Sequence, residues 1–454
     1  MSSKASGEPS ELRATIRLAI PVVFVQIGFM SMGVVDTLMV GRISAPVLAA
    51  VALGTLYFNI VSIFAIGTLM ALDPLVAQAV GAGETETVAR AIQRGLAIAL
   101  GLTVLTALLL APSGPALRAL GQSEEIVPAA ASYLRISIYG VLPYLAFFVL
   151  RQSLQAMHRV APIVWTVIVS NVANVMLNWV FVYGHLGSPA MGVSGSALAT
   201  SVSRWIMGAM LLLLAWRDLR GLLMPLRSDV LRWSAIWGML AIGAPIGGQQ
   251  TLEVGAFCAI GLLMGVIGTT QMAAHQIAIS LAALTFMVPL GVATATAVRV
   301  GNAIGAGDTT RARAAIRAGY ICGVGFMTLT GVIFLSMPVL LARAFTSDPA
   351  VIALSAVLIP IAGVFQVFDG AQAVGAGVLR GAGDTTIPLL VMLAAYWLIG
   401  VPVSWYFGFR TSLGAVGLWW GFVVSLAAVA LFLFLRIRVV FRGTIRRVGV
   451  GTTA

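Results

Sequence analysis

Three carboxylic acids stand inside long apolar stretches of this chain: Asp36 in MSMGVVDTLMVGRIS, Glu253 in QQTLEVGAF and Asp369 in FQVFDGAQ. An ionisable group at the centre of a membrane helix is disfavoured by about 2.5 to 3.5 kcal/mol on insertion scales, and its usual role is on a cation or proton path. A carboxylate removed from water needs a proton or a cation to compensate its charge, so these residues could bind H⁺, Na⁺ or an organic cation. Each also has a plainer reading. Asp36 could be an interfacial acid paired with Arg42, and Glu253 and Asp369 could pair with each other or with a buried arginine. Asn171, Asn174 and Asn178 fall at i, i+3 and i+7 on one helical face, either as partners for Asp36 or as hydrogen bonds between helices. His275, in AAHQIAIS, reads as a satisfied polar side chain ahead of a proton relay, and Asp73 as a cap or loop partner near an inner helix end.

The elements that must hold these residues are membrane helices. With 60% hydrophobic and 9% charged residues and a mean hydropathy of +1.02, the chain has too few polar side chains to cover a water-soluble globule. The first ten residues are polar and the first apolar run has the length of a full span, so no removable signal peptide is expected. The pattern predicts an all-α polytopic membrane protein with twelve helices, at about 14–40, 48–73, 91–112, 128–150, 161–183, 192–215, 238–264, 272–298, 314–338, 350–378, 387–408 and 415–436. Val254 to Val298 contains no Asp, Glu, Lys or Arg, and Gly268-Thr269-Thr270 supplies the turn that makes it two spans. Pro21, Pro143, Pro245, Pro289, Pro360 and Pro402 lie inside spans, where each favours a kink or break.

The chain is a duplication. AVGAGETETVARAIQRG from Ala79 returns as AIGAGDTTRARAAIRAG from Ala303, 224 positions on (303 − 79), and the same offset pairs Pro21 with Pro245 and Gln26 with Gln250. Outside loops would carry Arg42, Arg118, Arg343 and Arg410, and Arg135 and Arg204 fall within spans; the other Lys and Arg residues of the 27 gather on the opposite side. That asymmetry places both termini in the cytoplasm, and six spans per half make the halves parallel repeats. The expected domains are a cytoplasmic tail at 1–13, an N-lobe at 14–216, a cytoplasmic linker at 217–233, a C-lobe at 234–436 and a basic tail at 437–454. Between the lobes lies a central cleft. The lobes differ in chemistry, since Glu253 corresponds to Phe29 and Asp36 to Ile260.

Several function classes are excluded. The net charge of +12 is spread through short loops, which argues against a nucleic-acid partner. The only lysine is Lys4, so no GxxxxGK[ST] loop can exist and an ion gradient must supply the energy. No strand precedes the glycine motifs, His158, His185 and His275 are scattered, and no HExxH appears, so neither a cofactor site nor an enzyme is expected. Cys258 and Cys322 read as buried small hydrophobes, and nothing demands an oligomer, so a monomer in the bilayer is expected.

The stretches VVDTLMVGRIS, ALDPLVAQAVGAG, TLEVGAF, AAHQIAIS, VRVGNAIGAGD and FDGAQAVGAGVLRGAGDTTIP, taken in order, resemble the multidrug and toxic compound extrusion family, nearest its NorM-like branch, from about residue 14 to 440. The resemblance implies two six-helix lobes around a V-shaped cleft, a place in the bacterial inner membrane, and export of organic cations and amphipathic drugs in exchange for H⁺ or Na⁺. It makes Asp36 the N-lobe acid, with Asn174, Asn178 and Asn171 around it, and Glu253 and Asp369 the C-lobe acids, with Gln250 and His275 in support. A Na⁺ ion could then sit at Glu253 and Asp369 or at Asp36. Several NorM-like relatives carry a tyrosine four residues before the helix-ten acid; here that position is Phe365, which leaves proton coupling at Asp36 or a remodelled site equally open. The alternative is a flippase for a lipid-linked saccharide of the same two-lobe build, for which a more cationic cleft would be expected.

Overall fold

The computed structural model describes residues 7–443 and 447–448, so parts of the tails expected at 1–13 and 437–454 lie outside the described residues. Twelve helices are long and apolar enough to cross a membrane: α1 Glu11–Gly41, α2 Ala45–Gly81, α3 Thr85–Leu110, α4 Val127–Ala156, α5 Ala161–Tyr183, α6 Gly192–Leu214, α7 Trp233–Ile267, α8 Thr269–Gly305, α9 Thr309–Ser336, α10 Pro349–Ala382, α11 Thr386–Phe409 and α12 Ala415–Val440. Among the described residues there is no strand. The protein is an integral membrane protein, and the turn between α7 and α8 falls at Gly268 as the sequence indicates. Moved by the repeat offset, the bounds of α2 coincide with those of α8, and the other pairs agree within two residues.

Four helices outrun their apolar cores. α2, α4, α8 and α10 continue past residues 73, 150, 298 and 378, carrying Asp73, Arg151, Arg299 and Arg380 into buried positions. Hydropathy marks the hydrocarbon span, whereas backbone hydrogen bonding continues for as long as the charged side chains find partners. Asp73 is fully buried in the first turn of Leu72–Gly81, where an acid complements the helix dipole in the manner of a cap. The prolines act unequally. Pro21, Pro245, Pro289 and Pro360 sit inside helices that run through them, whereas Pro143 follows the 3₁₀ turn of α4 at Ile138–Gly140 and Pro402 the π-helical stretch of α11 at Leu393–Gly400, each after the turn that a proline leaves short of a hydrogen bond. The joint of α2 between Leu69 and Leu72 likewise stands just before Pro74. Cys258 and Cys322 are free and half-buried, not wholly buried.

By packing, the chain forms two compact units whose division does not follow the linker at 217–233. One comprises the described chain through Val23 together with Gly248–Val448, and the other Phe24–Gly247. The two changeover points, 23/24 and 247/248, are themselves repeat-related, so α1 and α7 each begin in one unit and end in the other. The cause is small residues that let backbones meet. In the second unit the first half of α7 lies on α2, where a Cβ added to Gly67 would stand 2.6 Å from the Gly247 Cα; in the first, the start of α1 lies on α8, where a Cβ on Gly291 would stand 3.0 Å from the Val23 nitrogen.

Each of these half-helices is also pinned at its start. Glu11 on α1 receives Arg299 Nη2 at 2.5 Å and Arg311 Nε at 2.9 Å. Ahead of α7, Arg227 donates to both Glu86 oxygens at 2.8 and 3.1 Å, Arg90 pairs with Asp229 at 3.1 Å, and Arg94 Nε reaches the Val230 carbonyl at 3.3 Å. The Glu86 carboxylate, hydrogen-bonded to Arg227, holds that guanidinium above its ordinary pKa.

The repeated GAG motifs are helix stops. Gly83 and Gly307 take φ values of 75° and 72°, and the next residue's N–H returns to the last turn, Glu84 to the Ala79 carbonyl and Asp308 to that of Ala303, both at 2.9 Å. This is a Schellman ending, which needs a residue free of the Cβ penalty in the left-handed region. Asp308 then caps α9, accepting from the Arg311 N–H at 2.8 Å. Gly307→Ala is expected to cost roughly 1–2 kcal/mol, measured as a lower thermal transition of the purified protein; an unshifted transition would show that the turn tolerates a side chain.

Candidate functional site

In the unit Phe24–Gly247, Asp36 is buried near the end of α1 and receives two hydrogen bonds: Asn178 Nδ2 of α5 donates to Oδ1 at 2.6 Å, and Thr200 Oγ1 of α6 donates to Oδ2 at 2.9 Å. Arg42 is exposed, so the interfacial pair considered from the sequence gives way to a buried acid held by neutral donors. Asn178 also donates to the Asn174 carbonyl at 3.0 Å, both asparagines are fully buried, and the Asn178 Oδ1 has no hydrogen-bond partner. Asn171 does not join them; its amide turns back to the Val167 carbonyl of its own helix at 2.9 Å. Arg204, one turn after Thr200, is the nearby cation. Its guanidinium lies 4.0 Å from the Phe58 ring centroid and 4.6 Å from that of Tyr144, within electrostatic reach of Asp36. Tyr133 accepts from Thr55 Oγ1 at 3.2 Å beside the same acid.

The sequence placed Arg135 within a span, and it is exposed there; Arg151, which it left outside the spans, is buried. Arg151 donates to Gln26 Oε1 at 3.0 Å, lies 5.3 Å over Phe29 and 5.2 Å over Phe148, and is within electrostatic reach of Asp73. Its charge is therefore balanced locally by an acid and aromatic faces.

In the other unit the structure brings Glu253 and Asp369 within electrostatic reach of each other. Gln372 Nε2, on the face of α10 that carries Asp369, donates to Glu253 Oε1 at 3.2 Å. Asp369 Oδ1, Gln372 Oε1 and the Tyr396 hydroxyl are buried without a hydrogen-bond partner, and Tyr396 lies within electrostatic reach of both acids. The π-helical stretch of α11 sets this up. It leaves the Ala395 carbonyl to Ser425 Oγ at 3.0 Å and sends Trp397 Nε1 to the Leu252 carbonyl at 3.1 Å, beside Glu253. Phe365 is fully buried, edge-on to Trp419 at 5.7 Å. His275 is buried against the same tryptophan at 5.6 Å with Nδ1 lacking a partner. Gln250 is half-buried, and the tie to the Thr385 carbonyl, 2.8 Å, comes from Gln249 instead.

Thr200, Gln372 and Tyr396 were not singled out from the sequence, and Arg204 was placed only as an arginine within a span. Thr200 and Arg204 had a signal, since SVSR after Thr200 is a polar run inside a span, and Gln372 stands three residues from Asp369. Tyr396, in LAAYWLIG, had only an indirect one, Pro402 six residues on; its contribution depends on the local change of helical pitch. Chemically, the first group presents donors to one carboxylate, and the second gathers unpaired hard oxygens around two, a set that suits a proton or a small hard cation. Among the described residues no cluster of three or more His, Cys, Asp or Glu could hold a metal ion.

A sequence profile described as MatE matches the chain twice, over residues 21–180 and 245–406, one match for each repeat. A protein of Rhizobium meliloti named probable multidrug resistance protein NorM is 38% identical over 433 residues, covering 94% of this chain and 92% of its own. One of the same name from Pseudomonas putida is 38% identical over 432 residues, covering 93% of each. Among solved structures, a eukaryotic MATE transporter superposes with a TM-score of 0.89 at 22% identity, covering 98% of this chain and all of that one.

Proposed function

We propose that this chain, which belongs to the MatE family of membrane transporters, exports organic cations and other amphipathic drugs in exchange for H⁺ or Na⁺. The relatives named probable multidrug resistance protein NorM support the drug class. The observation that carries the mechanism is Asp36, a buried carboxylate fixed by Asn178 and Thr200. With Asn178 Nδ2 turned to it, the charged acid is held and attracts a cationic drug. When a proton arrives, half a turn of the same amide offers Asn178 Oδ1, which lacks a partner, to the new O–H. Protonation thus removes the charge that held the drug without leaving the acid's hydrogen unpaired, and the two ligands compete for one group.

Where the coupling ion is Na⁺, Glu253, Asp369, Gln372 and Tyr396 are the residues to hold it, and Tyr396 offers a hydroxyl where Phe365 offers none. Arg151, buried, and Arg204, half-buried, weigh against a lipid-linked saccharide as substrate, because each is matched by an acid and by aromatic faces. We place the protein in the bacterial inner membrane with both termini cytoplasmic, as a monomer. The test is efflux of a fluorescent organic cation from inverted or right-side-out vesicles, with the pH and Na⁺ gradients collapsed separately. Loss with one gradient identifies the ion; absence of efflux under every gradient would sink drug export and return the lipid flippase.

A further inference from the structure

Away from the carboxylates, α9 and α12 part at one end to leave a cavity of about 600 Å³ within a single unit. Arg313 and Arg317 of α9 and Arg438 and Arg442 on and after α12 line it, together with the rings of Phe434 and Tyr320; none of its described lining residues is acidic. All four arginines are exposed. Two of them are already oriented: Arg313 Nη2 donates to the Phe441 carbonyl at 2.9 Å, and the Arg438 guanidinium lies 4.6 Å from the Phe434 centroid. Stacking uses a guanidinium's face and leaves its N–H edge for an anion. Four like charges around one cavity repel, and a doubly hydrogen-bonded phosphate relieves that repulsion better than water does.

We propose that this cavity binds the phosphate of an anionic phospholipid. Free phosphate shares the chemistry at the headgroup, but the surroundings favour lipid. Beyond the arginines the surface turns apolar, with Ile321 of α9 and Leu431, Phe432 and Leu435 of α12 exposed, so acyl chains find a continuous apolar path below the headgroup. A basic pocket between membrane helices at the end richest in arginine is the arrangement that recognises acidic headgroups. The site uses none of the residues assigned to transport and stands or falls independently of it.

The experiment is native mass spectrometry of the full chain in neutral detergent, titrated with cardiolipin, phosphatidylglycerol and phosphatidylcholine of matched acyl chains, and with inorganic phosphate as competitor. The expected result is retention of the two anionic lipids over phosphatidylcholine. R317A/R438A should weaken it roughly thirtyfold, as two arginines each contribute about fivefold at an anionic surface, while a matched pair elsewhere, R217A/R220A, leaves it unchanged. The single variant R438Q, which keeps α12 intact should the double variant not fold, is expected to lose about fivefold. Equal binding of phosphatidylcholine, or unchanged retention in R438Q, overturns the proposal. Displacement of the lipid by millimolar inorganic phosphate overturns the lipid assignment and leaves a free-anion site.

Discussion

Asp36→Asn is expected to reduce export of a cationic dye to background, a loss of more than about tenfold, equivalent to 1.4 kcal/mol or more of coupling, with expression and thermal stability close to the parent's. The substitution is nearly isosteric. Its Oδ1 still accepts from Asn178, and its Nδ2 can donate to the Thr200 hydroxyl, which accepts as well as donates. The fold therefore keeps its hydrogen bonds while the titrating charge is gone. Asp36→Ala would be less informative, because it strips both donors of their acceptor at a fully buried position. Export that persists in Asp36→Asn at the parent's rate would remove this residue from the cycle, and with it the competition between proton and drug.

The second large effect is expected at the other carboxylate pair. Glu253→Gln should abolish any stimulation of export by Na⁺ and any protection by Na⁺ against thermal unfolding, since it takes one charge from two acids held close together and puts an amide beside Gln372. Tyr396→Phe removes only a hydroxyl that has no hydrogen-bond partner in the fold, so stability should hold while the Na⁺ requirement shifts to severalfold higher concentration. If Na⁺ neither stimulates nor protects the parent protein, while Glu253→Gln still stops export, the pair serves protons instead. Full export in Glu253→Gln under every gradient would leave the pair with a structural role alone.

Some of this site was legible in the sequence, and the reason is energetic. A carboxylate in an apolar span is so costly that Asp36, Glu253 and Asp369 announce themselves without any knowledge of their neighbours. The neighbours are harder, because neutral polar residues cost little and can satisfy themselves locally. Asn171 shares a face with Asn178 but stands two turns away, about 10 Å along the axis, and bonds to its own helix. Thr200 lies 164 residues from Asp36 in the chain and reaches it only through the packing of α1 on α6. Tyr396 depends on a π-helical stretch that Pro402 marks only as a break, without giving its pitch. The twelve helices were legible because apolar length is a direct consequence of bilayer thickness. The full reach of α4 and α8 was not: Arg151 and Arg299 look like loop residues until Gln26 and Glu11 are seen to receive them.

The path of α1 sets a timetable for synthesis. Its first half, made before the other eleven helices, lies against α8, whose residues are translated only after α2 to α7 are complete. While those helices are inserted, the chain through Val23 has no native surface to pack on, and Glu11 has neither Arg299 nor Arg311. The start of α7 has no such wait, because α2 and α3, which receive it, are already in place. The Phe24–Gly247 unit can thus close as α7 emerges, whereas the other unit closes by taking up the start of α1 from across six intervening helices, a long-range step of the kind that slows folding. A ribosome stalled after α6 would present a first helix still waiting for its partner.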